Sequence, residues 1–270
     1  MTNILITNDD GVNAPGIMAL AKAMDALGAV TVIAPERNWS AAGHPKTLHK
    51  PLRLTPVTWP DGRTAYACSG APSDCVALGL LGALDIHFDL VISGINSTFN
   101  LGTDVIYSGT VAGAMEALIN GTPAIAVSLG RTADAPGGEE SVEGPRARAA
   151  TAEITAFLAE QVLAHGLPEN TLLNVNVPRM APDRLRGIQV TRLGRRIYRD
   201  VVDRRVDPWG RPYYWFGGEF PTGVPEDGSD IGAVENGYVS VTPLGIDFTN
   251  TSALRVLSSW PLQTWRPAGV

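Results

Sequence analysis

Asn3-Ile-Leu-Ile-Thr-Asn-Asp-Asp-Gly-Val-Asn-Ala-Pro-Gly-Ile17 decides the fold. Ile4, Leu5 and Ile6 form a short unbroken apolar run, the pattern of a strand covered on both faces. The run stops at Asn8-Asp9-Asp10-Gly11, where polarity rises and Gly11 permits a positive-φ turn. Pro15-Gly16 then introduces Ile17, Leu20, Ala21, Met24 and Leu27, which recur at helical spacing. A second apolar run, Ala29 to Ala34, ends at Pro35. Strand, helix and strand within about thirty residues make a βαβ unit and imply a parallel sheet. Ligands in such sheets bind beyond the carboxyl ends of the strands, so Asp9 and Asp10 mark the expected centre of a metal site.

Further along, Glu36 to His44 is a polar, small-residue loop past the second strand, and it carries Ser40 to the same edge. Leu52–Val57 and Thr64–Cys68 are expected to pair as a hairpin around Pro60-Asp61-Gly62. Pro72-Ser73-Asp74 opens a helix expected to run to Leu84, with Ser73 or Asp74 as its cap. Phe88–Ile92 reads as a buried strand ending in the loop Ser93-Gly94-Ile95-Asn96. Ser108-Gly109-Thr110 precedes a helix of small residues, and Pro123–Ser128 is another buried strand. Residues 131–148 read as a mobile loop, 146–163 as an amphipathic helix and 171–177 as a strand. Beyond Arg192 the character changes. Arg195–Phe220 is dense in Arg, Asp and aromatics around the turn Asp207-Pro208-Trp209-Gly210, the pattern of a projecting hairpin that meets another copy. Residues 237–242 and 254–260 are a final strand and a short helix. The expected organisation is an α/β core over 1–192, an arm over 193–235 and a returning strand and terminal segment over 236–270.

The 270 residues, 44% hydrophobic, can bury a full core. A net charge of −6 argues against broad affinity for polymeric nucleic acid. Two cysteines, Cys68 and Cys75, are too few for a secreted disulfide framework, and Cys75 is expected in a helix core. No stretch approaches membrane-span length, and the acidic pair interrupts any signal peptide, so a cytoplasmic protein without a membrane partner is expected.

Asp9, Asp10, Ser40 and Asn96 offer only oxygen donors, which suit Mg²⁺ or Mn²⁺. Zinc fits less well, because none of the four histidines has a ligand-like spacing. The plainer reading of Asp9-Asp10 is a capped turn. Two further strand ends carrying Ser40 and Asn96 favour the metal. Ser108-Gly109-Thr110 is an ordinary helix cap or, after the Asn96 loop, a phosphate cradle at a helix N-terminus.

Residues 6–17, Ser93-Gly-Ile-Asn96, 100–111, Gly210-Arg-Pro-Tyr-Tyr-Trp215 and 237–244 together resemble the SurE family, the stationary-phase survival protein nucleotidases. The resemblance implies a metal-dependent phosphomonoesterase acting on nucleoside 5′- and 3′-monophosphates, and in some members on short polyphosphate. It implies a Rossmann-like core with a hairpin arm exchanged in a homodimer or homotetramer. Its metal ligands map onto Asp9, Asp10, Ser40 and Asn96, with one divalent ion per subunit. Its phosphate contacts map onto Ser108, Gly109 and Thr110. Three departures stand out: Thr98 where Gly is usual, Trp39 where a polar residue is usual, and Ala41 for a common Gly.

The mechanism so implied is in-line attack of water on phosphorus, with Asp9 or Asp10 as general base and Ser108, Thr110 and Asn96 donating to the equatorial oxygens. Two rivals remain at this stage. One is a phosphatase with Asp9 as nucleophile, weakened because such acidic pairs sit two residues apart. The other is a nucleotide-binding regulatory protein without turnover.

Overall fold

The computed structural model describes residues 1–130 and 144–266. Strand β1 (Asn3–Thr7) leads to helix α1 (Pro15–Met24) and β2 (Ala29–Pro35). The hairpin β3 (Leu54–Thr58) and β4 (Thr64–Cys68) follows, then α2 (Pro72–Leu80) and β5 (Leu90–Asn96). Next come α3 (Gly109–Ile119), β6 (Ala124–Leu129), α4 (Gly144–His165), β7 (Leu172–Val177) and β8 (Ile188–Val190). The arm is β9 (Arg195–Val206) and β10 (Pro212–Val224); α5 (Asp230–Glu235), β11 (Val239–Leu244) and α6 (Thr251–Ser258) complete the chain.

One sheet has the order β3-β4-β2-β1-β5-β6-β7-β11-β8. It is mostly parallel, with antiparallel pairing only at β3–β4 and at β7–β11. β1 lies centrally between β2 and β5, so the strand order reverses there and a crevice opens beyond the ends of β1 and β5. The strand alternation distributes the core. Ile4 and Ile6 pack with α1 and α4 residues such as Leu20, Met24 and Leu158. Leu5 points to the opposite layer, with Val76 of α2 and Val111 and Ala114 of α3. Helices therefore cover both faces.

The small residues of α3 have a packing reason. A β-carbon on Gly113 would lie 2.8 Å from Ser93 Oγ and 3.0 Å from Thr7 Cγ2, so this helix rides close over the ends of β1 and β5.

Several sequence expectations need correction. α2 stops at Leu80, and Gly82 takes φ +92° in the turn that follows. Neither Ser73 nor Asp74 is its N-cap residue; that is Ala71, whose N–H donates to Asp74 Oδ2 at 3.0 Å. Ser93–Asn96 is strand rather than loop, which puts Asn96 at the last position of β5. α4 begins at Gly144, so the end of the expected loop is helical, while 131–143 lies outside the described residues. β8 and α5 carry too short a periodic signal to have been read. Cys68 and Cys75 are buried free thiols, and among the described residues no helix is long and apolar enough to cross a membrane.

The arm is a two-stranded antiparallel ribbon. Its Tyr214, Trp215 and Phe216 are exposed, as is Trp209 at its tip. It is fastened at its base, where Arg196 pairs with Asp104 at 2.8 Å and the Tyr198 hydroxyl donates to Asp104 at 2.7 Å.

Candidate active site

The turn after β1 is held by its own side chains. Asn8 Oδ1 accepts from Gly11 N–H at 3.1 Å, and Gly11 sits at φ +108°, a conformation that favours glycine. This presents Asp9 and Asp10 side by side at the crevice. Asp9 is only 3% exposed, whereas Asp10 is half-buried.

Three other segments close on this pair. The first is the start of α3. Thr110 donates its hydroxyl to Asp9 Oδ1 at 2.6 Å, and a β-carbon on Gly109 would lie 2.8 Å from Asp9 Cβ. Only glycine lets the helix N-terminus come so near the carboxylate. Ser108 is the N-cap residue, its Oγ accepting from Val111 N–H at 3.0 Å. The second is the loop after β2, where Trp39 N–H donates to the Asp9 carbonyl at 2.8 Å. Asn38 Nδ2 reaches Asp10 Oδ1 at 3.4 Å, and Asn38 Oδ1 accepts from Ser40 N–H at 2.7 Å. The third is the end of β5, where the Ser97 backbone N–H approaches the Asp10 carboxylate. Asn96 Nδ2 donates to the Thr98 carbonyl at 2.8 Å and to Thr98 Oγ1 at 3.2 Å. That fixes the amide with its nitrogen committed, and among the described residues no donor reaches Asn96 Oδ1.

Electrostatics follow from this crowding. Burial pushes the Asp9 carboxyl above its usual range, opposed by the Thr110 hydrogen bond. Burial, then the neighbouring Asp9 charge, push Asp10 up to about 6.

The segments carrying all seven anticipated residues thus meet. The Thr110 hydroxyl donates to Asp9, and the Asn96 amide nitrogen to Thr98. Asn38 was missed: a lone Asn two residues before Ser40 carries no pattern of its own. The departures at 39, 41 and 98 also acquire meaning. Thr98 orients Asn96; Trp39 is half-buried with the Arg37 guanidinium 5.2 Å from its ring centre. Ala41 occupies φ +58°, the region that explains a preference for glycine there.

An acidic pair at the switch point of a doubly wound α/β sheet, beside a helix N-terminus opened by glycine, defines an α/β protein with a strand-end crevice. A family model described as Survival protein SurE matches residues 4–200. The 5′-nucleotidase SurE of Herpetosiphon aurantiacus is 51% identical over 257 residues, covering 95% of this chain and 97% of that protein. The 5′-nucleotidase SurE of Moorella thermoacetica is 48% identical, covering 98% of each. The crystal structure of the SurE protein from Aquifex aeolicus superposes with a TM-score of 0.76 at 40% identity, covering 95% of this chain and 99% of that one. The chain belongs to the SurE family.

Proposed function

We propose that the protein hydrolyses nucleoside 5′-monophosphates to nucleoside and inorganic phosphate, with 3′-monophosphates and short polyphosphate as further substrates. The observation that carries this is the meeting of Asp9 with Gly109 and Thr110: a carboxylate pair and a helix N-terminus share one crevice. The names of the relatives point the same way.

The site fits one divalent ion per subunit, Mg²⁺ or Mn²⁺. Two carboxylates held together against burial form an arrangement that a cation relieves, and Asn96 Oδ1 is left without a protein donor among the described residues. No group of three or more His, Cys, Asp or Glu placed to hold a metal ion occurs among the described residues, so Ser40 and Asn96 would have to complete the set with Asp9 and Asp10. All four supply oxygen, the chemistry of hard cations. When bound, the ion neutralises charge on the phosphoryl group and lowers the pKa of a bound water.

The chain's own groups do the rest. The α3 N-terminus, with no side chain at Gly109, receives the phosphate next to its dipole. Ser108 accepts from Val111 N–H and keeps its own hydroxyl proton to donate. Asp9 is anchored by Thr110, which leaves Asp10 to take the proton from the attacking water. Water oxygen bonds to phosphorus as the P–O ester bond breaks, and the departing oxygen takes up a proton from solvent and leaves as the nucleoside hydroxyl.

The exposed aromatics of β10 support assembly of a homodimer or homotetramer through the arm, 193–235, and the composition supports a cytoplasmic setting. Phosphate release from nucleoside monophosphates, measured with Mn²⁺, Mg²⁺ or EDTA, tests the activity. EDTA-sensitive release is expected, and Asn96→Ala should abolish it. Nucleotide binding without release would instead establish a regulatory binder, and full turnover by Asn96→Ala would refute its role.

A further inference from the structure

Residues 36–53 carry Asn38 and Ser40 yet form neither helix nor strand. Their shape is set by side chains remote from the crevice. Glu116, two turns along α3 and 2% exposed, accepts from Lys46 Nζ at 2.8 Å on one oxygen and meets His44 Nε2 at 3.0 Å on the other. Asn120 Nδ2 adds a bond at 3.2 Å. Asp74 of α2, equally buried, accepts from the Thr47 N–H at 2.9 Å and the Thr47 hydroxyl at 2.7 Å. Just before these, Gly43 N–H donates to the Tyr107 carbonyl at 3.0 Å.

The stretch 43–47 is thus gripped a few residues beyond Ser40. Glu116 also belongs to the helix whose first turn closes on Asp9, so one element bears both the proposed phosphate cradle and the anchor of the Ser40 loop. We propose that Glu116 is a positioning residue: by gripping His44 and Lys46 it holds the loop of Asn38 and Ser40, tied to the pair through Asn38 and the Trp39 N–H, beside Asp9 and Asp10 and so sets the affinity for the divalent ion. This rests on the metal-site reading above. It differs from a mere loop tie, which would affect folding stability and leave the ion's affinity alone.

The test uses the full chain as His44→Ala/Lys46→Ala, both partly exposed positions, and as Lys46→Arg. Binding of Mn²⁺ alone is followed by the loss of the free-ion EPR signal. Phosphate release is measured at saturating Mn²⁺, and amide exchange at Gly43 and Thr47. The double variant should bind Mn²⁺ roughly tenfold more weakly, the range for supports of metal ligands. Its kcat at saturating metal should change little, exchange at both amides should rise, and Lys46→Arg should retain wild-type binding because its fork spans a carboxylate. Wild-type Mn²⁺ affinity in the double variant, whatever its thermal midpoint, overturns the proposal. If the wild-type protein neither binds Mn²⁺ nor releases phosphate, the nucleotidase reading fails. The proposal falls with it in that case, whereas a wild-type protein that binds Mn²⁺ and a double variant of equal affinity overturn the proposal alone.

Discussion

Replacing Asp10 by Asn should stabilise the metal-free protein at neutral pH while ending its turnover. In the fold the Asp10 carboxyl rises from 3.8 to about 6, first because it is buried and then because Asp9 lies beside it. A rise of about two units, at about 1.36 kcal/mol per unit, puts the cost of keeping it charged at up to about 3 kcal/mol. The sign follows from linkage. An acid whose folded value is raised favours the protonated fold, so the cost is absent below the unfolded value of 3.8 and complete above about 6. Asn is uncharged, nearly the same shape, and keeps an oxygen for the Asn38 amide. Thermal unfolding followed by circular dichroism in EDTA reads the effect. At pH 7.5 the Asn variant should melt higher; about 2 kcal/mol corresponds to roughly 4–8 °C in a chain of this size. At pH 4 the gap should narrow sharply, since the wild-type carboxyl is then protonated in the fold. An equal or lower midpoint at pH 7.5, or a gap that ignores pH, would refute the view that crowded carboxylates are kept here at the expense of stability.

Gly109→Ala should lower phosphate release about a hundredfold or more, because its methyl would lie 3.1 Å from Asp9 Oδ2 and displace the carboxylate, with the far-ultraviolet dichroism retained. Thr110→Val removes the donor to a buried carboxylate; a loss of about 1–3 kcal/mol in urea unfolding is expected, together with a ten- to hundredfold fall in kcat/KM. Ala41→Gly should raise the thermal midpoint slightly, by about 1 kcal/mol equivalent, since φ +58° strains any β-carbon. Glu116, held near 2 first by His44 and then by Lys46, gives stability that is present above the ordinary value of 4.5 and disappears as pH falls toward 2; in acid titrations Glu116→Gln should show a flatter wing.

The sequence by itself determined the elements whose pattern is local. The apolar run Ile4–Ile6, the helical recurrence from Ile17 to Met24 and the run Ala29–Ala34 suffice for a βαβ unit, because periodicity and turn chemistry act within a few residues. The parallel sheet then placed Asp9, Asp10, Ser40 and Asn96 at one edge. The arm was legible too, from its aromatics and the Asp207–Gly210 turn. Pattern alone could not say where β5 ends, since Ser93–Asn96 is polar yet pairs with β6, nor foresee α5, which is too short to show a period. Only the tertiary structure decided how the site's hydrogen bonds are shared: Thr110 to Asp9, the Asn96 nitrogen to Thr98, and Lys46 and His44 to Glu116. Those partners come from separate elements or compete at one strand end. Which atom pairs with which depends on how closely α3 rides over β1, and Gly109 and Gly113 set that approach through the side chains they lack.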